Sequence, residues 1–597
     1  MTWKITGAPG TGDDLLYSQA GTPTLDLRFA SSKTLNDNVS GQNLIDFTRG
    51  GNGIGTYVGS DGLIKNSVVN LLLQSEDFST TWLRENILAF GSGSTVNATI
   101  APDGTVTADL ITEDTTASAL HRISQNLTAS AGDATFSVYV KRANGARNLE
   151  INASVLLGGR AVFNLSNGTP GEVTSGTASI QNVGNGWYRC SVTGTSAGAT
   201  TSAYLQLCTG TASSTRTYTG DGTSGIYLWG AQLEQSSTVG EYVKTTSSIS
   251  GAPRFDHDPE TGESLGLLVE EQRTNLLPNS QQIGLAGIWG INNSASGVLT
   301  LNNATAPDGT FTATTVVPSG VFYGPNDFVS VSASTDHTFS VWLKNNSATV
   351  PVRANIFGYY SQFLNGVLTP TNANIIASSI EEFPDGWYRI SLTANSGAGG
   401  SLAVAIYGDP GEGFECWGAQ IEAGAFPTSY IPTTTAAVTR SADVASITGA
   451  NFSSWYRQDE GTVFADATNL AVVPASDFQT IAAVSDGTNN NRIELGFLTA
   501  TLGNLLVRES GASSVSLIPV VSTLRRVAAG AYSSSSAAVS YNGAVPSQGD
   551  TVVLPTVNKL DIGGLNSTAI KELNGTISRL TYFDRRLPNA TLQAITG

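Results

Sequence analysis

The chain has 597 residues, enough for three to five domains at about 100–200 residues each. Hydrophobic residues make up 40% and charged residues only 13%, while glycine alone fills 65 positions, a composition that favours short strands joined by many turns. The formal net charge of −17 works against a nonspecific grip on nucleic acid and against docking on an anionic membrane.

The N-terminus, Met1-Thr-Trp-Lys-Ile-Thr-Gly, has no basic region followed by an apolar core, so no secretory signal is expected. No run reaches the roughly 18 apolar residues of a membrane span. Assembly into a particle released by lysis is one route outside a cell for such a chain. The three cysteines, Cys190, Cys208 and Cys416, form no C-x-x-C and read as buried free thiols.

In chain order, residues 1–69 carry a short strand pattern at Leu25-Asp-Leu-Arg-Phe and a strand-turn-strand at Tyr57-Val-Gly-Ser-Asp-Gly-Leu-Ile, with Asp61-Gly62 at the turn. Residues 70–246 are strand-like throughout: Phe136, Val138 and Val140 alternate with Ser137, Tyr139 and Lys141. Trp187 to Val192 follows an Asn-Gly turn, and Tyr204-Leu-Gln-Leu and Gly225-Ile-Tyr-Leu-Trp are further strands. Residues 247–274 form a connector too rich in bulky residues for a floppy tether. Residues 275–434 repeat the strand pattern. Residues 435–597 form a third kind of segment, with strand-length alternations such as Thr462-Val-Phe-Ala-Asp-Ala and Gly575-Thr-Ile-Ser-Arg-Leu, each ended by a turn.

Self-similarity is the strongest signal. F-S-V-Y-V-K at 136–141 matches F-S-V-W-L-K at 339–344, and A-P-D-G-T occurs at 101–105 and 306–310. G-N-G-W-Y-R-C at 184–190 matches P-D-G-W-Y-R-I at 384–390, and L-W-G-A-Q-L-E at 228–234 matches C-W-G-A-Q-I-E at 416–422. The pairs fall in one order, so residues 70–246 and 275–434 are two copies of one domain. The expected fold class is all-β and multidomain: tandem jelly-roll β-sandwiches plus a C-terminal concanavalin-A-like sandwich.

Arg254-Phe-Asp-His-Asp-Pro through Gly266-Leu-Leu-Val-Glu-Glu-Gln-Arg-Thr-Asn-Leu-Leu resembles a segment of tailed-bacteriophage structural proteins, as does Asp46-Phe-Thr-Arg followed by Thr56-Tyr-Val-Gly-Ser-Asp-Gly-Leu-Ile-Lys. The duplicated domain resembles carbohydrate-binding-like jelly rolls of phage tail fibres and head spikes. Residues 435–597 resemble the laminin-G/concanavalin-A-like fold at Arg526-Val-Ala, Tyr541-Asn-Gly, Ile562-Gly-Gly and Gly575-Thr-Ile-Ser-Arg-Leu. In such proteins the Asp-Gly-Leu-Ile-Lys piece runs almost directly into the Arg-Phe-Asp-His-Asp piece. Residues 70–246 therefore look inserted, with 1–69 and 247–274 expected to pack as one small unit. The resemblance implies a virion protein, most often trimeric, with its N-terminal region on other virion proteins and its C-terminal sandwich facing a host-surface polysaccharide.

Candidate ligand residues are Trp187, Arg189, Trp387 and Arg389 of the repeated motif, and Asn489, Asn490 and Arg492 of a polar loop. A tryptophan in a sandwich groove stacks on sugar rings, but these sit at strand starts, where packing competes as an explanation; each arginine would then lie across its ring or pair with a carboxylate. Trp229 and Trp417 carry the same two readings, and Glu234 and Glu422 bind a ligand or a loop backbone. Asp103 and Asp308 could help hold a structural calcium, although Asp-Gly is first a turn former and calcium needs about 6–8 oxygens. No other cofactor is expected. His121, His257 and His337 are scattered, and the neighbours Glu270–Glu271 and Glu381–Glu382 would face opposite ways on strands, so no catalytic set is expected. The readings are a glycan-binding virion protein, a particle-building protein without ligand, and, more weakly, a glycan-cleaving enzyme.

Overall fold

A computed structural model describes residues 15–153, 159–198, 200–411, 413–469, 479–499, 501–520, 525–565 and 572–597. Its elements are nearly all strands, and the sheets stack in pairs around several apolar cores. Among the described residues no helix is long and apolar enough to cross a membrane. The chain divides into two units. One comprises residues up to Phe47, Gly55–Asn66 and Pro253–Gly597; the other comprises Thr48–Ile54 and Ser67–Ala252.

In the second unit one sheet runs, in neighbour order, Thr177–Gly184, Trp187–Ala197, Ala131–Arg142, Gly225–Glu234, Ala108–Thr112, Thr95–Thr99. Facing it are Thr169–Ser175, Gly159–Asn164, Asn148–Ala153, Thr200–Cys208, Arg122–Thr128 and Leu83–Glu85. The period of two puts Phe136, Val138 and Val140 into the core between these sheets with Leu149, Ile151 and Leu205, while Tyr139 and Lys141 stay half-buried. Asn185 and Gly186, with φ of 51° and 80°, form the two-residue turn that joins Thr177–Gly184 to Trp187–Ala197.

Residues 275–434 repeat this strand order. One sheet runs Ile375–Phe383, Trp387–Asn395, Asp336–Asn345, Phe414–Ala423, Ala313–Pro318, Gly297–Ala304. The other runs Val367–Pro370, Tyr359–Leu364, Val352–Ile356, Gly400–Tyr407, Gly324–Val331, Gly290–Asn292. Asp385 and Gly386 (φ 61° and 79°) hold the positions of Asn185 and Gly186. Each copy enters and leaves through a paired stem: Val69–Asn70 with Ser250–Gly251, and Arg273–Asn275 with Val438–Arg440.

The C-terminal sandwich is not complete within residues 435–597, and residues 1–69 and 247–274 do not form a unit of their own. Strand Leu25–Leu27 pairs with Gly575–Phe583, and Ser264–Val269 pairs with that strand and with Arg254–His257. Leu25, Leu27, Phe29, Leu44, Ile45, Leu267 and Val269 share one core with Ile577, Leu580 and Tyr582. The reason is size: these short pieces carry too few apolar residues for a core of their own, and the strand Gly575–Phe583 offers free backbone groups. Arg579 seals the joint, donating to both oxygens of buried Asp26 at 2.8 and 3.0 Å. Residues 1–14 lie outside the described residues.

The stem of the second copy is closed by a buried ionic cluster. Arg254 reaches Asp443 at 2.5 Å and Glu270 at 2.8 Å, and Arg440 reaches Glu270 at 3.4 Å. Burial alone would raise Glu270, but Arg440 and Arg254 overcome it and hold the carboxyl at about 2. Glu271 faces away, pairing with Arg273. Cys190, Cys208 and Cys416 are buried and free.

Candidate functional site

The repeated motifs build the scaffold. In both copies the glutamine of W-G-A-Q bridges its own strand to the chain leaving the domain. Gln232 donates to Glu234 Oε1 (3.0 Å) and accepts from Val243 N (2.7 Å); Gln420 donates to Glu422 Oε1 (2.7 Å) and accepts from Ile431 N (2.7 Å). Glu234 and Glu422 in turn take the backbone N–H of Gly240 and Thr428. Trp229 and Trp417 donate to Thr107 and Thr312 at 3.0 and 3.1 Å.

Trp187 and Trp387 are 1% and 3% exposed and donate to Ile100 O and Thr305 O. Rings this deeply packed expose at most an edge. Arg189 and Arg389 do not lie across these tryptophans, the first of the two placements the motif predicts, a carboxylate partner being the other. Their guanidiniums sit over Tyr139 and Trp342, 5.2 and 4.7 Å from the ring centres, and donate to Gly240 O and Thr428 O at 2.7 Å. The reason is the cross-strand register, which pairs Arg189 with Tyr139 and Arg389 with Trp342.

Trp387 nevertheless edges a cleft of about 400 Å³ in the second copy, within the usual range for small-ligand sites. Leu63, Phe383, Pro384 and Trp387 form its apolar wall, and Lys344, Asp385 and Glu415 its charged one. Lys344 and Glu415 are cross-strand partners, 3.8 Å apart. Glu415 Oε2 is buried without a hydrogen-bond donor. The hairpin of strands Thr56–Val58 and Ile64–Asn66 closes one side, its Ile64 N–H donating to Pro307 O at 3.0 Å. Gly62 at its turn has φ +74°, and a β-carbon there would meet Pro259 O at 2.4 Å and Pro384 at 2.6 Å, so only glycine fits. In the first copy the register sets Lys141 against Tyr227, with no carboxylate at that place. A hollow of about 460 Å³ in the first copy is lined by four leucines, Ile249 and four uncharged polar residues, and holds no ion pair.

Asp103 and Asp308 each accept from the N–H and hydroxyl of Thr105 and Thr310 in their turns. Among the described residues no group of three or more His, Cys, Asp or Glu is placed to hold a metal ion. Of the polar loop, Asn490 is exposed and Asn489 half-buried. Arg492 points into the sheet instead: it is 2% exposed, pairs with Glu494 at 2.6 Å and donates to Asn489 O. Residues two apart on a strand share a face, and the buried Glu494 draws the arginine inward. His121, His257 and His337 each hydrogen-bond a separate backbone carbonyl.

No protein-family model and no curated protein matches the chain. Among solved structures it is similar to the CBM40 of the Ruminococcus gnavus IT-sialidase bound to α2,3-sialyllactose, at 17% identity and a TM-score of 0.21 over 24% of this chain and 84% of that one. It is also similar to the N-terminal CBM22-1–CBM22-2 tandem domain of Paenibacillus barcinonensis Xyn10C (13% identity, TM-score 0.18, 62% of this chain and 99% of that one). A third likeness is to the LG1-3 region of the laminin α2 chain (8% identity, TM-score 0.14, 80% and 97%).

Proposed function

We propose that the chain is a structural protein of a tailed-phage virion, a tail fibre or head spike, that binds host-surface glycan through the cleft at Trp387. The virion assignment is supported by the phage-like segments at 46–65 and 254–277, and so are a trimeric state and attachment to other virion proteins through the N-terminal region. The duplicated sandwiches are read as jelly rolls and the C-terminal one as concanavalin-A-like.

One observation carries the glycan reading: Glu415 Oε2, which accepts no hydrogen bond and faces Lys344 Nζ at 3.8 Å, in a cleft walled by Leu63, Phe383 and Trp387. A sugar ring offers hydroxyl donors, hydroxyl acceptors and apolar C–H faces. Glu415 accepts from one hydroxyl, Lys344 donates to another, and the apolar wall meets the C–H groups. Asp385 lines the cleft together with Glu415; we read the cleft as binding without cleaving, and release of reducing ends from a bound glycan would overturn that reading.

The second reading, a particle-building protein without ligand, is favoured by the use of the repeated motif residues as scaffold. Structural calcium at the Asp103 and Asp308 turns is a further proposal, tested by melting with and without chelator. A glycan array probed with the intact chain decides between the two main readings. Glycan binding that falls at least tenfold in Glu415→Gln supports the first; a blank array, or binding unchanged by Glu415→Gln, rejects it.

A further inference from the structure

The two copies carry the same aromatic face but not the same cover. In the second copy the hairpin of residues 56–66 lies on it. Val58 and Ile64 share a core cluster with Trp342, Trp387, Trp417 and Tyr430. Thr56 Oγ1 donates to Tyr430 O at 2.6 Å and Ile64 N to Pro307 O at 3.0 Å. Under this cover Trp342, Pro307 and Tyr430 are all buried.

In the first copy the equivalent residues are Tyr139, Pro102 and Tyr242. The ring cluster is the same: Tyr139–Trp229 and Trp229–Tyr242 centres are 5.2 and 4.6 Å apart, against 5.4 and 4.9 Å for Trp342–Trp417 and Trp417–Tyr430. Yet Tyr139, Pro102 and Tyr242 are only half-buried, and so is Tyr227 beside them. No hydrogen bond from a described residue reaches Pro102 O or Tyr242 O, the two carbonyls the hairpin uses in the other copy.

We propose that the aromatic face of the first copy is a docking site for a β-hairpin of a partner polypeptide. The hairpin sets a hydroxyl side chain against Tyr242 O, a backbone N–H against Pro102 O, and β-branched residues over Tyr139. The second copy supplies the template for each contact. A second molecule of this chain is not the donor, because its own hairpin is already fixed: Arg254 donates to Thr56 O at 2.9 Å and Val58 N to Asp256 at 2.6 Å.

The probe is a cyclised peptide of residues 55–66 with a photoreactive group in place of the Leu63 side chain, added to the intact chain. Saturable binding is expected, with adducts on the first copy near Pro102 and Tyr227. The same peptide carrying Val58→Lys and Ile64→Lys binds at least tenfold more weakly, a comparison that leaves the protein's folding untouched. Tyr139→Trp, which installs the second copy's residue, tightens binding. No saturable binding up to ~1 mM, adducts confined to the second copy, or equal binding by the lysine-substituted peptide overturns the proposal.

Discussion

Asn70 and Asn275 make the same four hydrogen bonds, one set in each copy. Asn70 Nδ2 donates to Ala231 O and Val243 O, and its Oδ1 accepts from Leu72 N and Leu233 N. Asn275 Nδ2 donates to Ala419 O and Ile431 O, and its Oδ1 accepts from Leu277 N and Ile421 N. Both side chains are fully buried, so alanine leaves four backbone groups without partners in each case. Each orphan costs about 1–3 kcal/mol, and the summed loss is set at ~3 kcal/mol or more. Asn70→Ala lowers the melting of the unit that holds residues 67–252, and Asn275→Ala that of the other. A loss below ~0.5 kcal/mol would remove the clamp from the account.

The duplication was legible because the motifs that repeat are those that hold the scaffold: Gln232 and Gln420 face the same partners, so their sequence context is fixed twice. The asparagine clamp sits in the shorter match Asn70-Leu-Leu and Asn275-Leu-Leu, too brief to stand out. The joint of Leu25–Leu27 to Gly575–Phe583 left no local trace, since strand pairing across the whole chain depends on packing and not on periodicity. Trp387 was marked from its motif, but Lys344 and Glu415 meet only through the register of neighbouring strands. Their signal was the difference between the copies, Glu415 standing where the first has Tyr227.

Trp187→Ala and Trp387→Ala are each expected to destabilise their copy by about 3–5 kcal/mol, the range for removing a packed aromatic. Thermal and urea unfolding measure it. Unfolding left unchanged by either substitution would contradict the packing role.

Stability should depend on pH through Asp256. Burial raises this carboxyl to about 7 although Val58 N–H bonds it; Glu381 adds to the shift and Arg254 offsets it. An unfolded aspartate titrates near ~4, so the folded state holds the extra proton. The stability this contributes is full below ~4 and is lost as pH rises through about 7. Glu270, held at about 2, acts in the opposite sense, and its contribution is lost only as pH falls through that value. Asp256→Asn keeps an acceptor for Val58 N and should flatten the decline in melting temperature between pH 5 and pH 8 (~1 unit above each carboxyl value). Equal slopes in the two proteins contradict this.

Ending the chain at Thr434 removes Gly575–Phe583 and with it the partner of Leu25–Leu27 and Ser264–Val269. Leu25, Leu27, Leu267 and Val269 then lose their core. Limited proteolysis of the truncated chain should spare a fragment near residues 67–252 and digest the strands at 25–27 and 254–269. Equal protection of both regions would show that those strands hold without the C-terminal sheet.

The central claim, that glycan binds in the cleft between Lys344 and Glu415, is tested most directly by crystals of the intact chain soaked with the glycans that bind on the array. The account predicts a sugar ring against the Leu63, Phe383 and Trp387 wall, with hydroxyls in hydrogen-bond reach of Glu415 Oε2 and Lys344 Nζ. A sugar bound elsewhere on the protein with this cleft empty would contradict it.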